Sequence, residues 1–393
     1  MASGPLRQRN SVRLSKSAMS RDVAKMPHIK LWLKAVTIIL PARRGLDDNQ
    51  YYSLITNSHT PHAMVADDVS ESTTILVTGG AGFIGSNLCD RIIELGYTVR
   101  CLDNFMTGKR ENIEHLLEHP RFTLLESDLR DYEGCEKAVK DVQIVMHQAA
   151  LGSVPRSVDD PRTTNAINIT GTLNLVDAAQ RAGVERIVYA GSSSAYGDSP
   201  VLPKEETHRG DPLSPYAVTK YVGELYGSVF SSLYEMEFIT LRYFNVFGPR
   251  QDPEGMYAAV IPKFISCMID GDAPTIFGDG EQTRDFTHIE NVVDANILAM
   301  TTSNPEAINQ TFNIAAGDRT SVNHLFNCIR DLLAERDPSI SEMEPKYVDE
   351  RPGDIPHSTA SIEKAKQLLK FNPTINVDEG LRKAIDWYWE SLV

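Results

Sequence analysis

Thr74-Ile75-Leu76-Val77-Thr78-Gly79-Gly80-Ala81-Gly82-Phe83-Ile84-Gly85 decides the fold of this 393-residue chain. Thr74 to Val77 is a short apolar, β-branched run that reads as a buried parallel strand. The glycines that follow permit a tight turn. Gly82 and Gly85 let backbone approach an anion at the start of the next helix, whose unpaired amides favour negative charge. Gly79, Gly82, Phe83, Ile84 and Gly85 are therefore the expected cradle of a dinucleotide pyrophosphate. About twenty residues on, Val99-Arg100-Cys101-Leu102-Asp103 is a second strand ending in a carboxylate, as dinucleotide binding requires. Asp103, with Asn104 beside it, can accept both hydroxyls of an adenosine ribose and repels a 2′-phosphate, so NAD is expected rather than NADP. Lys109 and Arg110 lie past Gly108 and read as the opening of the next helix, not as a phosphate clamp.

Working outward from that stretch, strand and helix alternate from Ser72 onward, which predicts an α/β fold with a doubly wound parallel Rossmann sheet. Phe122 to Leu125 makes a third strand, ending at Asp128-Leu129, where the chain can reach an adenine. Val142 to His147 makes a fourth and opens into Ala149-Ala150, small residues that let backbone pass beside the cofactor. His147, at a strand end, reads as a packed core residue rather than a base. A helix from about 162 to 182 carries Asn168, a further expected cofactor contact. A fifth strand, Arg186 to Ala190, delivers Ser192-Ser193-Ser194 to the carboxyl edge of the sheet, where ligands bind in such folds. A helix to about Tyr234 and a sixth strand, Phe238 to Arg242, follow. The expected organisation is a basic extension over 1–71, a cofactor-binding domain over 72–245 and a smaller substrate lobe over 246–393, interleaved with the sheet.

The chemistry is carried by Ser192, Tyr216 and Lys220. In Ser214-Pro215-Tyr216-Ala217-Val218-Thr219-Lys220, Ser214 is a good N-cap and Pro215 a good first helical residue. Tyr216 then sits just inside the helix, and Lys220, four residues on, shares its face. A phenol titrating near ~10 is a poor base, but a nearby ammonium and a cationic nicotinamide favour its phenolate. Tyr216 becomes a general base. YxxxK alone is a weak signal; the order GxxGxxG, Ser, YxxxK is specific.

Composition bounds the rest. At 41% hydrophobic residues the chain can bury a large core. Its net charge of −14 argues against a nucleic-acid partner. Cys89, Cys101, Cys135, Cys267 and Cys328 lack CxxC spacing and read as reduced thiols of a cytoplasmic protein. The histidines show no zinc pattern, so no metal is expected. Residues 1–46 carry ten Lys or Arg against the single Asp22, a surplus of nine that leaves the rest of the chain near −23. Leu31 to Ala42, the most apolar piece of that segment, is interrupted by Lys34 and Pro41 and falls short of the ~18 residues that span a bilayer. No membrane partner is expected. A disordered basic arm, a targeting presequence and an upstream extension, with Met64 as the start, all remain open readings.

Two further stretches are more specific. They are His147-Gln148-Ala149-Ala150-Leu151-Gly152-Ser153-Val154-Pro155-Arg156-Ser157 and Leu241-Arg242-Tyr243-Phe244-Asn245-Val246-Phe247-Gly248-Pro249-Arg250-Gln251-Asp252-Pro253. Together with GxxGxxG and YxxxK, they make residues 72–393 resemble the extended short-chain dehydrogenases that act on nucleotide sugars, and among these the UDP-N-acetylglucosamine 4-epimerases. The resemblance implies a UDP-sugar substrate, a homodimer and a set of substrate contacts. Gly152, Ser153, Ser192 and Ser193 would face the sugar, and Asn245 the sugar and diphosphate. Ala259, Val260 and Lys263 would line the uridine side. Arg284 and Arg351 would grip the diphosphate, whose oxygens suit planar guanidinium forks. Asp354 would meet the uridine ribose, and Ser358 would gate pocket size. Related dehydratases and decarboxylases place an acid just after the catalytic Ser or Thr; here Ser193 and Ser194 stand there, so the reaction is expected to stop at C4 through a transient 4-keto sugar. The uronic acids of the two UDP-N-acetylhexosamines, UDP-glucose and UDP-glucuronate remain alternative substrates, and a non-catalytic dinucleotide sensor an alternative of another class.

Overall fold

The computed structural model describes residues 73–208, 210–253, 259–350 and 357–393. The expectations for 1–71, and for Arg351 and Asp354, lie outside the described residues. The chain begins with β1 (Thr74–Thr78), α1 (Phe83–Glu94), β2 (Thr98–Asp103), β3 (Phe122–Glu126), α2 (Tyr132–Val139) and β4 (Ile144–His147). Two short helices follow, α3 (Val154–Asp159) and α4 (Pro161–Asn165). A π-helical turn, Ala166–Gly171, then leads into α5 (Thr172–Ala182). Next come β5 (Arg186–Ser192), a 3-10 turn (Ser193–Tyr196), α6 (Pro215–Tyr234) and β6 (Glu237–Tyr243).

These strands form one parallel sheet with the order β11-β6-β5-β4-β1-β2-β3, in which β11 is Thr311–Ile314. β1 lies between β2 and β4, so the winding reverses at its carboxyl end and opens the crevice that ligands use in doubly wound sheets. The helix expected over 162–182 is present but interrupted: the π-turn widens it at Asn168. Gly171 packs so closely on Leu129 that an added Cβ would stand 2.8 Å from the Leu129 Cβ.

The remaining chain builds a second core. It consists of β7 (Val246–Phe247), α7 (Val260–Ile269), β8 (Thr275–Phe277), β9 (Thr283–Arg284), β10 (Thr287–His288) and α8 (Ile289–Thr301), then β12 (Thr320–Ser321), α9 (Val322–Ala334), β13 (Lys346–Val348), α10 (Glu363–Leu368) and α11 (Val377–Leu392). Phe264, Ile265, Leu325, Phe326, Leu381 and Tyr388 are buried together between α7, α9 and α11. α8 instead returns to the sheet, burying Val292 and Ala299 with the β1 and β5 side chains. Its carboxyl end is met by Arg186, 1% exposed, which donates to the carbonyls of Ala299 (3.1 Å) and Thr302 (2.9 Å) and pairs with Glu237. A cation there offsets the unpaired carbonyls and negative dipole of the helix end.

α6 is drawn onto the sheet by a buried ion pair. Glu224 accepts two bonds from the Arg242 guanidinium of β6, at 2.9 and 2.6 Å, with both side chains nearly inaccessible. Removing one partner of such a pair strands a buried charge at a cost of about 3–5 kcal/mol, whereas replacing both by apolar groups is far milder. Glu224→Ala is therefore expected to lose about that much stability in urea denaturation, and Glu224→Met with Arg242→Met to recover most of it. A single variant as stable as the parent would show that the pair does not seat the helix.

Candidate functional site

Ser214 caps α6, its Oγ accepting from the Ala217 amide at 3.1 Å, and Pro215 takes the first helical position as the sequence predicts. The next amide, that of Tyr216, is another unpaired donor of a helix start. It donates to Ser157 Oγ at 3.0 Å, and Ser157, on α3, is fully buried. Two serines thus fix the turn that carries Tyr216. Sequence reasoning singled out Ser214 and passed over Ser157, whose partner is 59 residues away.

Ser192 ends β5, and its hydroxyl stands near enough to the Tyr216 phenol to favour the phenolate. Its Oγ also accepts from the amide (3.2 Å) and hydroxyl (2.8 Å) of Ser194, and Ser193 opens the 3-10 turn between them. Lys220 donates from Nζ to the Ala190 carbonyl at 2.8 Å, and the same Nζ lies 5.3 Å from the Tyr189 ring centroid. Burial draws the ammonium down to about 8, with Glu224 opposing. Burial also pushes the Tyr216 phenol above its ordinary value. Desolvation of a fully enclosed phenol penalises its anion, and the group that opposes it is Ser192 rather than Lys220. His147 is the packed residue expected: its ring is held between Thr78 Oγ1 (2.8 Å) and Thr172 Oγ1 (2.9 Å), and burial takes it to about 3.

Tyr216 and Lys220 face a cavity of about 790 Å³ at the switch point of the sheet, large enough for a bound cofactor. Its floor is the glycine loop and α1, with Gly79, Gly82, Phe83, Ile84 and Gly85 on the wall. Gly85 has no room for a side chain: a Cβ there would stand 2.0 Å from the Gly79 carbonyl oxygen. Gly79 itself adopts φ +68° and lies against the Ala149 backbone. Such a loop leaves backbone amides open to a pyrophosphate at the helix start, so these residues fit a dinucleotide. Asp103 and Asn104 line the cavity from β2. The Asp103 carboxylate accepts from the Ala81 (2.9 Å) and Phe105 (2.8 Å) amides, and burial raises it. Asp128 and Leu129 line it from β3, and Ala149, Ala150, Gly152 and Ser153 from β4. Asp128 is held to about 2 by the Arg130 guanidinium.

Asn168 sits behind the loop that follows β4. It is buried, with Oδ1 accepting from the Leu151 amide (2.7 Å) and Nδ2 donating to the Leu151 carbonyl (3.2 Å) and Thr219 Oγ1 (3.0 Å). An amide so committed anchors the loop after β4 to α6 and does not itself line the cavity. Lys109 differs from expectation, lining the cavity and pairing with Asp252 at 3.2 Å, while Arg110–Asn112 forms only a 3-10 turn. Arg156, Tyr243 and Arg250 line the cavity as well. All three stand inside the two stretches that carry the resemblance, which is the signal that could have found them.

The expected substrate residues form a second group. Asn245, exposed at φ +28°, donates from Nδ2 to the Asp285 carbonyl at 2.9 Å, beside Arg284. Ser358, half-buried, donates its amide to the Thr283 carbonyl at 3.1 Å, on the other side of Arg284. The chain at β9 therefore brings together Asn245, Arg284 and Ser358, the outer two of which are more than a hundred residues apart in sequence. Ala259 lines the cavity at the start of α7, where Val260 is half-buried and Lys263 is exposed. No helix among the described residues is long and apolar enough to cross a membrane.

The model of the NAD dependent epimerase/dehydratase family matches residues 75–315. A Methanocaldococcus jannaschii relative is 41% identical over 315 residues, covering 80% of this chain and 97% of that protein. The UDP-glucose 4-epimerase of Mycolicibacterium smegmatis is 35% identical over 316 residues, covering 80% and 97%. Among solved structures, a UDP-N-acetylglucosamine 4-epimerase from Methanobrevibacter ruminantium, in complex with UDP-N-acetylmuramic acid, superposes with a TM-score of 0.76 at 40% identity, covering 82% of this chain and 100% of that one. With the glycine loop, the seven-stranded parallel sheet and the Ser192–Tyr216–Lys220 arrangement in place, this chain belongs to the NAD dependent epimerase/dehydratase family.

Proposed function

We propose that this protein interconverts UDP-N-acetylglucosamine and UDP-N-acetylgalactosamine by inverting C4. The coarser part of that reading, an NAD-dependent isomerase acting on the C4 position of a UDP-sugar, follows from its family and its relatives. When bound, NAD supplies a reversible hydride acceptor at C4 and a cationic ring beside the phenol. The chain's own residues do the rest. Tyr216 takes the proton of the C4 hydroxyl and returns it, with Ser192 bridging the two oxygens. Lys220 is fixed one turn away by the Ala190 carbonyl and holds positive charge behind the phenol. Ser193 and Ser194 offer hydroxyls where proton abstraction at C5 would need a carboxylate. Asn245, Arg284, Arg351 and Asp354 hold the diphosphate and ribose, and Ala259, Val260 and Lys263 the uridine side.

The acetamido preference rests on one observation: the walls expected to face the sugar's 2-substituent are bare. A Cβ at Gly152 would meet nothing within 4 Å, and Ser358 is a small side chain beside Arg284. Ser153 next to Gly152 keeps a hydroxyl at φ +134°, a sparsely populated conformation of the kind held at ligand sites. The 4-keto sugar must turn in the pocket between the two halves of the reaction, and an N-acetyl arm needs that room.

The same reading includes a homodimer formed through the helices at 162–182 and 214–234. On α6, Val218, Leu225, Val229 and Leu233 recur at helical spacing and are each at least 44% exposed.

Three outcomes are expected. Tyr216→Phe should keep NAD and substrate binding while turnover falls at least ~100-fold, the effect of losing a general base; near-normal turnover would remove Tyr216 from its role. Ser358→Tyr overpacks the pocket by about 1–3 kcal/mol and should slow UDP-N-acetylglucosamine epimerisation about tenfold more than that of UDP-glucose. Equal effects on both sugars, measured as kcat/KM, would refute the gate. Leu225→Lys with Val229→Lys should convert a dimer to a monomer in sedimentation velocity, and an unchanged dimer would move the interface elsewhere.

A further inference from the structure

We propose that His324, Cys328 and Asp378 bind a borderline-soft divalent cation of the zinc type and so staple α9 to α11. None of the three lines the cavity, and the epimerase reading uses none of them. His324 and Cys328 are i and i+4 on α9 and share one face. Asp378 lies in the first turn of α11. Both helix starts are fixed by caps: Ser321 Oγ accepts from the His324 amide at 3.1 Å, and Asn376 Oδ1 from the Glu379 amide at 2.9 Å. Backbone that is held in this way presents donors at set positions.

The donor atoms already stand close to a coordination polyhedron. His324 Nε2 is 2.9 Å from Asp378 Oδ1, Cys328 Sγ is 3.3 Å from the same Nε2, and Sγ is 3.4 Å from the same Oδ1. Zinc bonds of about 2.0–2.2 Å to nitrogen and oxygen and about 2.3 Å to sulfur place tetrahedral neighbours roughly 3.3–3.6 Å apart. Spreading the triad by a few tenths of an ångström would admit the ion. One nitrogen, one thiolate and one carboxylate select zinc and its neighbours over magnesium or calcium. The His324 and Asp378 side chains are 51% and 60% exposed, so the fourth position is left to water.

Coordination requires the thiolate. Burial and Asp378 push the Cys328 thiol up to about 12, so the ion must displace its proton to the buffer. Sulfur and Nε2 then each give a lone pair to the ion, and the imidazole keeps its proton on Nδ1. No oxidation state changes. His-x-x-x-Cys on one helix is an incomplete metal signature, and the third ligand enters from 50 residues away. That is why the sequence shows no zinc pattern while the fold assembles one.

The test uses the full chain, stripped with a chelator and titrated with Zn²⁺, Co²⁺ or Mg²⁺. One Zn²⁺ per chain should survive dialysis and raise Tm, and Mg²⁺ should do neither. Co²⁺ should give a sulfur-to-cobalt charge-transfer band that Cys328→Ser abolishes. His324→Ala and Asp378→Asn should each weaken Zn²⁺ at least tenfold, with the far-ultraviolet circular dichroism unchanged. A parent protein without the cobalt band, or Zn²⁺ uptake that persists undiminished in Cys328→Ser and His324→Ala, would overturn the proposal. None of these readouts depends on the substrate.

Discussion

How closely α6 sits on the sheet governs everything at the site. That helix carries Tyr216 and Lys220, and its distance from β5 and β6 decides whether they reach the end of β5. Two glycines make the approach possible. A Cβ at Gly223 would stand 2.2 Å from the Tyr189 hydroxyl, and one at Gly227 would stand 2.2 Å from the Phe238 ring. The Glu224–Arg242 pair then locks the helix from within, and the Arg242 guanidinium lies 4.5 Å from the Tyr196 ring centroid, joining the turn after Ser192 to the same arrangement. One helix face thus carries Tyr216, Lys220 and Glu224 at successive i+4 positions.

A second close approach, between Gly85 and the Gly79 carbonyl, brings α1 against β1 and opens the cavity on the other side of the switch point. Asp103 ties that loop to β2 by accepting the Ala81 amide. The cavity is therefore bounded by two helices held close to the sheet by glycines, one offering amides and the other a phenol and an ammonium. Hydride and proton transfer at C4 need this arrangement, since their partners must meet the same carbon from fixed directions. The side proposed for the substrate is built differently. β9 is two residues long; Ser358 joins it by a backbone bond to the Thr283 carbonyl, and Asn245 donates from its side chain to the carbonyl of Asp285 just after it, with no packed helix face.

The sheet and its cofactor side were legible in the sequence because their determinants are local. A β-branched run, a glycine turn and an acid twenty residues on are each set by neighbours in the chain. All six strands expected from 74 to 242 are present, and so is the cap-and-proline start of α6. Legibility failed where a residue's partner is remote. Nothing beside Ser157 in the chain shows that it will accept the Tyr216 amide, and nothing beside Asn168 shows that its amide will bond Leu151 and Thr219. The interruption of the 162–182 helix by a π-turn was likewise invisible, because the extra width is taken up against Leu129 in another element.

What the sequence determined by itself was the α/β alternation, the dinucleotide loop and the Ser192–Tyr216–Lys220 order, since short-range sterics and capping specify each of them. Tertiary structure alone decided the direction of the Tyr216 titration, because desolvation depends on what surrounds the phenol and not on its neighbours in the chain. It alone decided the seventh strand, β11, which is only four residues long and gains its place by pairing with β6 in a sheet already formed. It also decided the meeting of His324, Cys328 and Asp378, which requires two helices from separate parts of the chain to pack around one buried core before the three donors face each other.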